Sequence, residues 1–290
     1  MSVEMIGQTL THRYRLESVL GQGGMGVVYA AADLNLGRDV AVKTIREDFL
    51  AHREIVANFV SEAKIIAQLS NNPHILTMYD LCSTDAGDPF IVFERLRGRT
   101  LKALTRDKLL PSRSWVIEVG IQIALALVDV HAKGVVHRDL KPGNIFVVET
   151  RAIPLLTKLI DFGISQSPQY MTTTNRYAEM SGTPAYLSPE VAAGQYSTSA
   201  SDIYSFGVTL YELATGVHPY PRDSVAGAVV AAQTSTAPEG PLVQSRFPNT
   251  FNKLLSDMME KDYRCRPSAD DCTLRLRQAN RELDESKGHA

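Results

Sequence analysis

A polar stretch between two apolar runs is where chemistry can concentrate in this sequence. Residues 135–147 read Val135-Val136-His137-Arg138-Asp139-Leu140-Lys141-Pro142-Gly143-Asn144-Ile145-Phe146-Val147. The flanking runs are short enough to be buried strands or packed turns. Between them, His137, Arg138, Asp139, Lys141 and Asn144 can donate, accept or bind metal. Folding alone does not put an Asp, a Lys and an Asn there. Buried polar groups cost stability unless partnered, and functional residues concentrate on loops positioned by a rigid scaffold.

A second chemical stretch lies upstream. Tyr14 to Leu20 reads mostly as a strand and runs into Gly21-Gln22-Gly23-Gly24-Met25-Gly26. A G-x-G-x-x-G is shared by dinucleotide-binding folds and ordinary glycine turns, so the residues after the last glycine discriminate. A dinucleotide fingerprint opens a helix, whereas Val27-Val28-Tyr29 is β-branched and aromatic and reads as a second strand. No Gly-Lys-Ser/Thr comes next, which excludes the P-loop. A glycine hairpin between strands can fold its backbone amides over phosphates, because no side chains hold them off. Arg38 to Ile45 reads as a third strand, and it returns Lys43 toward the same phosphates. From about Glu54 to Leu69 the periodicity is helical, with Phe59, Ile66 and Leu69 on one face and Glu62 among them. A glutamate on an apolar stripe needs a partner, and Lys43 is the evident one.

The string His137-Arg138-Asp139-Leu140 with Asn144 resembles the catalytic loop of the protein kinases, H-R-D-L-x-x-x-N. The glycine hairpin and Val40-Ala41-Val42-Lys43 match the same family. So do Asp161-Phe162-Gly163, 17 residues beyond Asn144, and the segment Ser181-Gly182-Thr183-Pro184-Ala185-Tyr186-Leu187-Ser188-Pro189-Glu190. Each motif alone is weak or moderate; in this order and spacing, over roughly residues 12 to 278, they are specific. The wording around the glycines looks most like bacterial serine/threonine kinases of the eukaryotic, or Hanks, type. Ser188 departs from the family's usual alanine.

The resemblance implies an α+β bilobal fold: a five-stranded antiparallel sheet with one key helix, then a mainly helical lobe, with ATP between them. It assigns residues 1–96 to the ATP-binding lobe, 97–280 to the catalytic lobe, and 281–290 to a polar tail that frays. It implies that Asp139 accepts the proton of the substrate hydroxyl and that Lys141 neutralises the γ-phosphate. Asn144 and Asp161 would hold Mg²⁺ or Mn²⁺. Lys43, paired with Glu62, would address the α- and β-phosphates. Gly21, Gln22, Gly23, Gly24, Met25, Gly26, Val28 and Ala41 would surround the nucleotide. Phe93 would stand behind the adenine, with Glu94 to Leu96 as the hinge. Asp202 would tie down the catalytic loop, Arg266 would pair with Glu190, and Thr183 would contact Asp139 and Lys141. Lys141 marks the serine/threonine branch, and Gly143 stands where arginine-directed members carry glutamate.

From Asp161 to Glu190 the chain has little periodicity and many hydroxyls. Structureless loops longer than about 12–15 residues are usually functional or disordered. Thr172, Thr173 and Thr174 are the expected phosphate acceptors, docking on Arg138 through the roughly −1.5 to −2 charges of a phosphate.

Hydrophobic content of 44% and charged content of 21% are ordinary for a soluble globular protein. The 290 residues suffice for one large or two modest domains. Thirty basic against 32 acidic residues give no sign of a nucleic-acid surface. Cys82, Cys265 and Cys272 have no metal spacing and read as thiols in a reducing compartment. Met1 to Glu17 lacks the apolar core of a signal peptide. Trp115 to Val130, interrupted by Glu118, Gln122 and Asp129, reads as a core helix, since a membrane span needs about 20 predominantly apolar residues. The expectation is a cytoplasmic serine/threonine kinase without a membrane segment in this chain, or the cytosolic part of a longer protein. Its partners are protein substrates, ATP and a second copy for trans-autophosphorylation. The alternatives are a pseudokinase scaffold, which usually loses Lys43, Asp139 or Asp161 equivalents, and a small-molecule phosphotransferase, which lacks the Gly182 to Glu190 platform.

Overall fold

The computed structural model describes residues 5–23, 26–69, 71–105, 110–151, 153–162, 184–220 and 247–288. Its contacts divide the chain into two compact units, meeting in sequence between Arg97 and Gly98.

The first unit is built on an antiparallel sheet. Its strands are β1 (Thr9–Leu10), β2 (Tyr14–Gln22), β3 (Gly26–Asp33), β4 (Arg38–Ile45), β5 (Met78–Ser83) and β6 (Pro89–Glu94), in the order β1-β2-β3-β4-β6-β5. The sheet is therefore six-stranded rather than five-stranded. The added strand is the two-residue β1, whose Leu10 is buried in the sheet core and pairs with Tyr14. Alternation drives the rest. Tyr14, Leu16, Val27, Tyr29, Ala31, Val40, Val42, Phe90 and Val92 line one buried face. The β2–β3 hairpin is drawn together at its glycine end, where Gly23 N donates to Gly26 O at 2.9 Å. Gly26 is dictated by packing, because a Cβ there would lie 2.7 Å from the Thr44 carbonyl oxygen. After the short helix α1 (Glu47–Leu50), helix α2 (Arg53–Leu69) buries Phe59, Glu62, Ala63, Ile66 and Leu69 on a single face.

The second unit carries a small sheet, β7 (Gly98–Thr100), β8 (Ile145–Val148) and β9 (Leu156–Leu159), in that order. Its helices are α3 (Leu101–Leu104), α4 (Arg113–Ala132), α5 (Pro189–Ala192), α6 (Ser199–Thr215), α7 (Asn249–Met258) and α8 (Ala269–Gly288). Among the described residues α4 is the one helix whose length and composition would let it cross a membrane. Val116, Ile117, Ile123, Ala124, Leu127 and Val130 are all fully buried within the unit. It starts at Ser112, whose hydroxyl accepts from Trp115 N.

Helix α6 is capped by Thr198, whose N–H donates to Ser201 Oγ, and not by Asp202, which lies inside the first turn. The helix stops at Gly216, the left-handed residue at φ 77°. The polar 281–290 segment is not a frayed tail over most of its length. Helix α8 runs to Gly288 because Leu283 extends the buried stripe of Ala269, Cys272, Leu276 and Ala279, and because Glu282 accepts from Thr250. Its start is held reciprocally by Ser268 and Asp271.

Candidate active site

In the second unit the loop after α4 is fastened to α6. The Asp202 carboxylate, 1% exposed, accepts from His137 N at 2.8 Å and from Arg138 N at 2.9 Å. His131 Nε2, from the last turn of α4, lies 2.9 Å from the same carboxylate. Arg138 has φ 67°, a left-handed conformation that a non-glycine residue adopts only when its surroundings hold it there. The tether of His137 N and Arg138 N to Asp202 is that restraint. Burial lowers the Arg138 pKa, against the pull of Asp202.

Asp139 comes next, with its carboxylate held by two neighbours. Lys141 Nζ donates to both of its oxygens, at 2.8 and 2.7 Å. Asn144 Nδ2 donates to Asp139 Oδ2 at 2.7 Å and to the Asp139 carbonyl at 2.8 Å. Asp139 N donates to His137 Nδ1 at 3.3 Å. His137 is fully buried, and burial drives its pKa down against the opposing charges of Asp202, Asp139 and Asp161. It is therefore a neutral ring, packed 4.7 Å from Phe162 between centroids.

Strand β9 brings Asp161 to this loop. Ile145 on β8 pairs with Leu159 on β9, and Ile160 N donates to Asn144 O at 2.9 Å. Asp161 leaves the strand at φ 52°, again left-handed, with its side chain exposed. The donor set suits a hard divalent cation. Asn144 has committed its amide nitrogen to Asp139, which leaves Oδ1 as the atom for a metal, and Asp161 supplies a carboxylate. Among the described residues no three His, Cys, Asp or Glu side chains group as a metal site. A divalent cation held by these two side chains would take its remaining oxygens from phosphates and water.

The activation-segment end is anchored in the same unit. Arg266 Nη1 and Nη2 donate to the two oxygens of Glu190 at 2.7 and 2.8 Å, both side chains buried. Burial pushes the Glu190 pKa up, but the Arg266 pairing outweighs it and the net shift is downward. Tyr186 hydroxyl donates to Glu212 on α6, and Ser205 Oγ donates to Tyr186 O at 2.7 Å.

In the first unit Lys43 Nζ lies 3.1 Å from Glu62 Oε1, so β4 and α2 meet through this pair. Lys43 sits opposite Val28 on β3 and Ile91 on β6. Ala41 faces Phe93, and both are buried. Strand β6 ends at Glu94, before Leu96, because Glu94 turns to bond Thr77 through its backbone N–H and its carboxylate. Gly21, Gln22, Gly23 and Gly26 form the hairpin end. Gly24, Met25, Thr172, Thr173, Thr174 and Thr183 lie outside the described residues. Sequence reasoning passed over His131, Tyr186, Glu212 and the buried Gln122. Only Gln122 gave a signal, as a polar break in an apolar helix.

This arrangement is a carboxylate with an adjacent ammonium and two side chains with oxygens suited to a divalent cation, on a helical unit that comes after a glycine-hairpin sheet. It is the kind of arrangement that kinase-type folds carry. The protein kinase domain profile matches residues 14–275, and the chain belongs to that family. Its relatives include bacterial serine/threonine kinases. It is 40% identical over 259 residues to a probable serine/threonine-protein kinase of Clostridium perfringens, covering 89% of this chain and 37% of that protein. It is 40% identical over 219 residues to serine/threonine-protein kinase PknB of Mycobacterium leprae, 74% of this chain and 34% of that one. Serine/threonine-protein kinase PknA of Mycobacterium tuberculosis is 33% identical over 261 residues, 89% and 58% respectively. The chain thus spans well under two thirds of these relatives' length. The fold is also that of the crystal structure of Rad53 1-466 in complex with AMP-PNP, at TM-score 0.73 and 24% identity, covering 92% of this chain and 66% of that one. The family uses ATP with a divalent cation.

Proposed function

We propose that this chain transfers the γ-phosphoryl group of ATP to serine and threonine hydroxyls of proteins. The observation that carries the reading is Asp139, whose carboxylate is held by Lys141 and Asn144 on a loop pinned to Asp202. The substrate hydroxyl gives its proton to Asp139 as its oxygen bonds to the γ-phosphorus. The bond from that phosphorus to the bridging oxygen breaks, and ADP leaves. General-base help of this kind supplies roughly 10²–10⁴-fold. Lys141 sits beside the base and offsets charge on the transferred group. Lys43, oriented by Glu62, serves the α- and β-phosphates. Asp161 and Asn144 Oδ1 would hold Mg²⁺, which when bound neutralises charge on the phosphates. Thr172, Thr173 and Thr174 are the proposed sites of activating autophosphorylation in trans within a homodimer, with Arg138 as the phosphate's partner. The domain works where ATP and reduced thiols are found, in the cytosol.

The test is labelling with radioactive ATP on a generic protein substrate. The wild-type chain is expected to label itself and the substrate, and Asp139→Asn to bind ATP but label neither. An Asp139→Asn protein that still incorporates phosphate would overturn the assignment.

A further inference from the structure

Gln122 is a buried amide, 6% exposed, in the middle of the apolar helix α4. A primary amide offers two donors and two acceptor sites, and all four are used here. Its Nε2 donates to Glu118 Oε1 at 3.0 Å and to Leu155 O at 3.1 Å. Its Oε1 accepts from Thr157 N at 2.8 Å and from Thr157 Oγ1 at 3.0 Å. Leu155 O and Thr157 N are backbone groups on one side of the chain, separated by a single residue. The side chain therefore pairs with β9 as the peptide group of a neighbouring strand would.

That pairing falls on one edge of the small sheet. Among the described residues β9 is an edge strand of four residues, with only β8 beside it. A one-residue slip moves a strand about 3.3 Å and turns every side chain to the other face, so the buried β9 has to be held in one register. Asp161 lies four residues beyond Thr157. A displacement of that size exceeds the bond length to Mg²⁺, about 2.0–2.1 Å, and destroys its octahedral geometry.

We infer that Gln122 is a positioning residue that sets the register of β9 and thereby the place of Asp161 in the cation site. The inference rests on the proposed function, in which Asp161 binds the cation. Removing a supporting partner around a metal site typically costs 10–100-fold in affinity. Gln122 acts through backbone, which puts the expected effect at the lower end.

The test compares wild type with Gln122→Met, of similar shape but without the amide, and Thr157→Val, which keeps the backbone bond and loses the hydroxyl. Mn²⁺ binding in the presence of ATP is tracked by electron paramagnetic resonance, amide exchange in 156–159 by mass spectrometry, and KM for a generic protein substrate by assay. Gln122→Met is expected to weaken Mn²⁺ binding about tenfold and to speed exchange in β9, with KM for the protein substrate unchanged. Thr157→Val is expected to weaken binding about threefold, half that effect on a logarithmic scale. If Gln122→Met does not fold, Thr157→Val decides. Wild-type Mn²⁺ affinity in either folded variant overturns the inference and leaves the kinase reading intact. A wild-type chain that binds no Mn²⁺ with ATP overturns that reading, and this inference with it.

Discussion

Asp202 Oδ1 accepts the backbone N–H of Arg138 at 2.9 Å across 64 positions of sequence, and Arg138 is held there at φ 67°. Helix α6 thus carries the restraint that lets the loop keep a strained residue next to Asp139. Left-handed non-glycine residues cost on the order of 1–3 kcal/mol, so removing the carboxylate lets the loop relax. Asp202→Ala is expected to lower stability by roughly 1–3 kcal/mol for each amide left unpaired. It is also expected to lower kcat more than it raises KM for ATP. Urea denaturation with steady-state kinetics checks both; an unchanged kcat in a folded Asp202→Ala protein removes the link to the loop.

The Lys43–Glu62 pair makes a cycle possible. Glu62 is the more buried partner, with its side chain 6% exposed against 19% for Lys43. Lys43→Met strands a buried carboxylate, and the cost is expected at the low side of the roughly 3–5 kcal/mol typical of broken buried pairs. Adding Glu62→Gln should recover part of that stability without recovering phosphotransfer. Thermal melts of the four proteins in the cycle measure it; strictly additive losses would show that the two side chains do not interact.

Arg266 and Glu190 form the more deeply buried ion pair, Arg266 also donating to Glu260 O, Lys261 O and Ala200 O. Arg266→Ala is expected to destabilise by about 3–5 kcal/mol, because it leaves a charge and three carbonyls without their donor. The measurement is chemical denaturation, and a loss below about 1 kcal/mol would mark the pair as no more than a surface contact.

Acid should weaken the sheet unit through Asp33. Arg13 donates to both oxygens of Asp33 at 2.8 Å, which holds the Asp33 carboxyl down at about 2, against an ordinary 3.8. The folded-state value is the lower one. The stability that ionised Asp33 contributes is therefore complete above its unfolded pKa and is lost as pH falls from about 3.8 toward 2. Melting temperatures of wild type and Asp33→Asn from pH 5 to 2 should converge at the acid end; parallel curves would refute the linkage.

Ser188, the residue that departs from the motif the sequence resembles, is 1% exposed, and its hydroxyl has no hydrogen-bond partner among the described residues. A buried unsatisfied hydroxyl costs stability, so Ser188→Ala is expected to leave activity unchanged and to raise stability by about 0.5–1 kcal/mol. A clear fall in melting temperature would reveal a bond to this hydroxyl.

Much of this was readable before any coordinate. Ala269, Cys272, Leu276, Ala279 and Leu283 recur at helical spacing, and all five are buried. Gly21 to Gly26 precedes β-branched residues, which signals a hairpin instead of a helix. These patterns are local: periods of 2 and 3.6, and residue types that only certain turns accept. The helix beyond residue 281 is harder to read because Leu283 is the last apolar residue of the stripe, while the partner that holds Glu282 is Thr250, 32 residues upstream.

The residue types themselves determined the chemistry on offer: an Asp beside a Lys and an Asn, a second Asp in a Phe-Gly context, and a glutamate misplaced on an apolar face. Which polar groups meet was decided by tertiary structure. Gln122 looks from the sequence like a flaw in an apolar helix, and Asp202 like one more polar residue near the head of another. Their partners lie 35 and 64 to 71 positions away. The energy of a buried hydrogen bond depends on a match between distant backbone and side-chain groups, and no local pattern encodes that match.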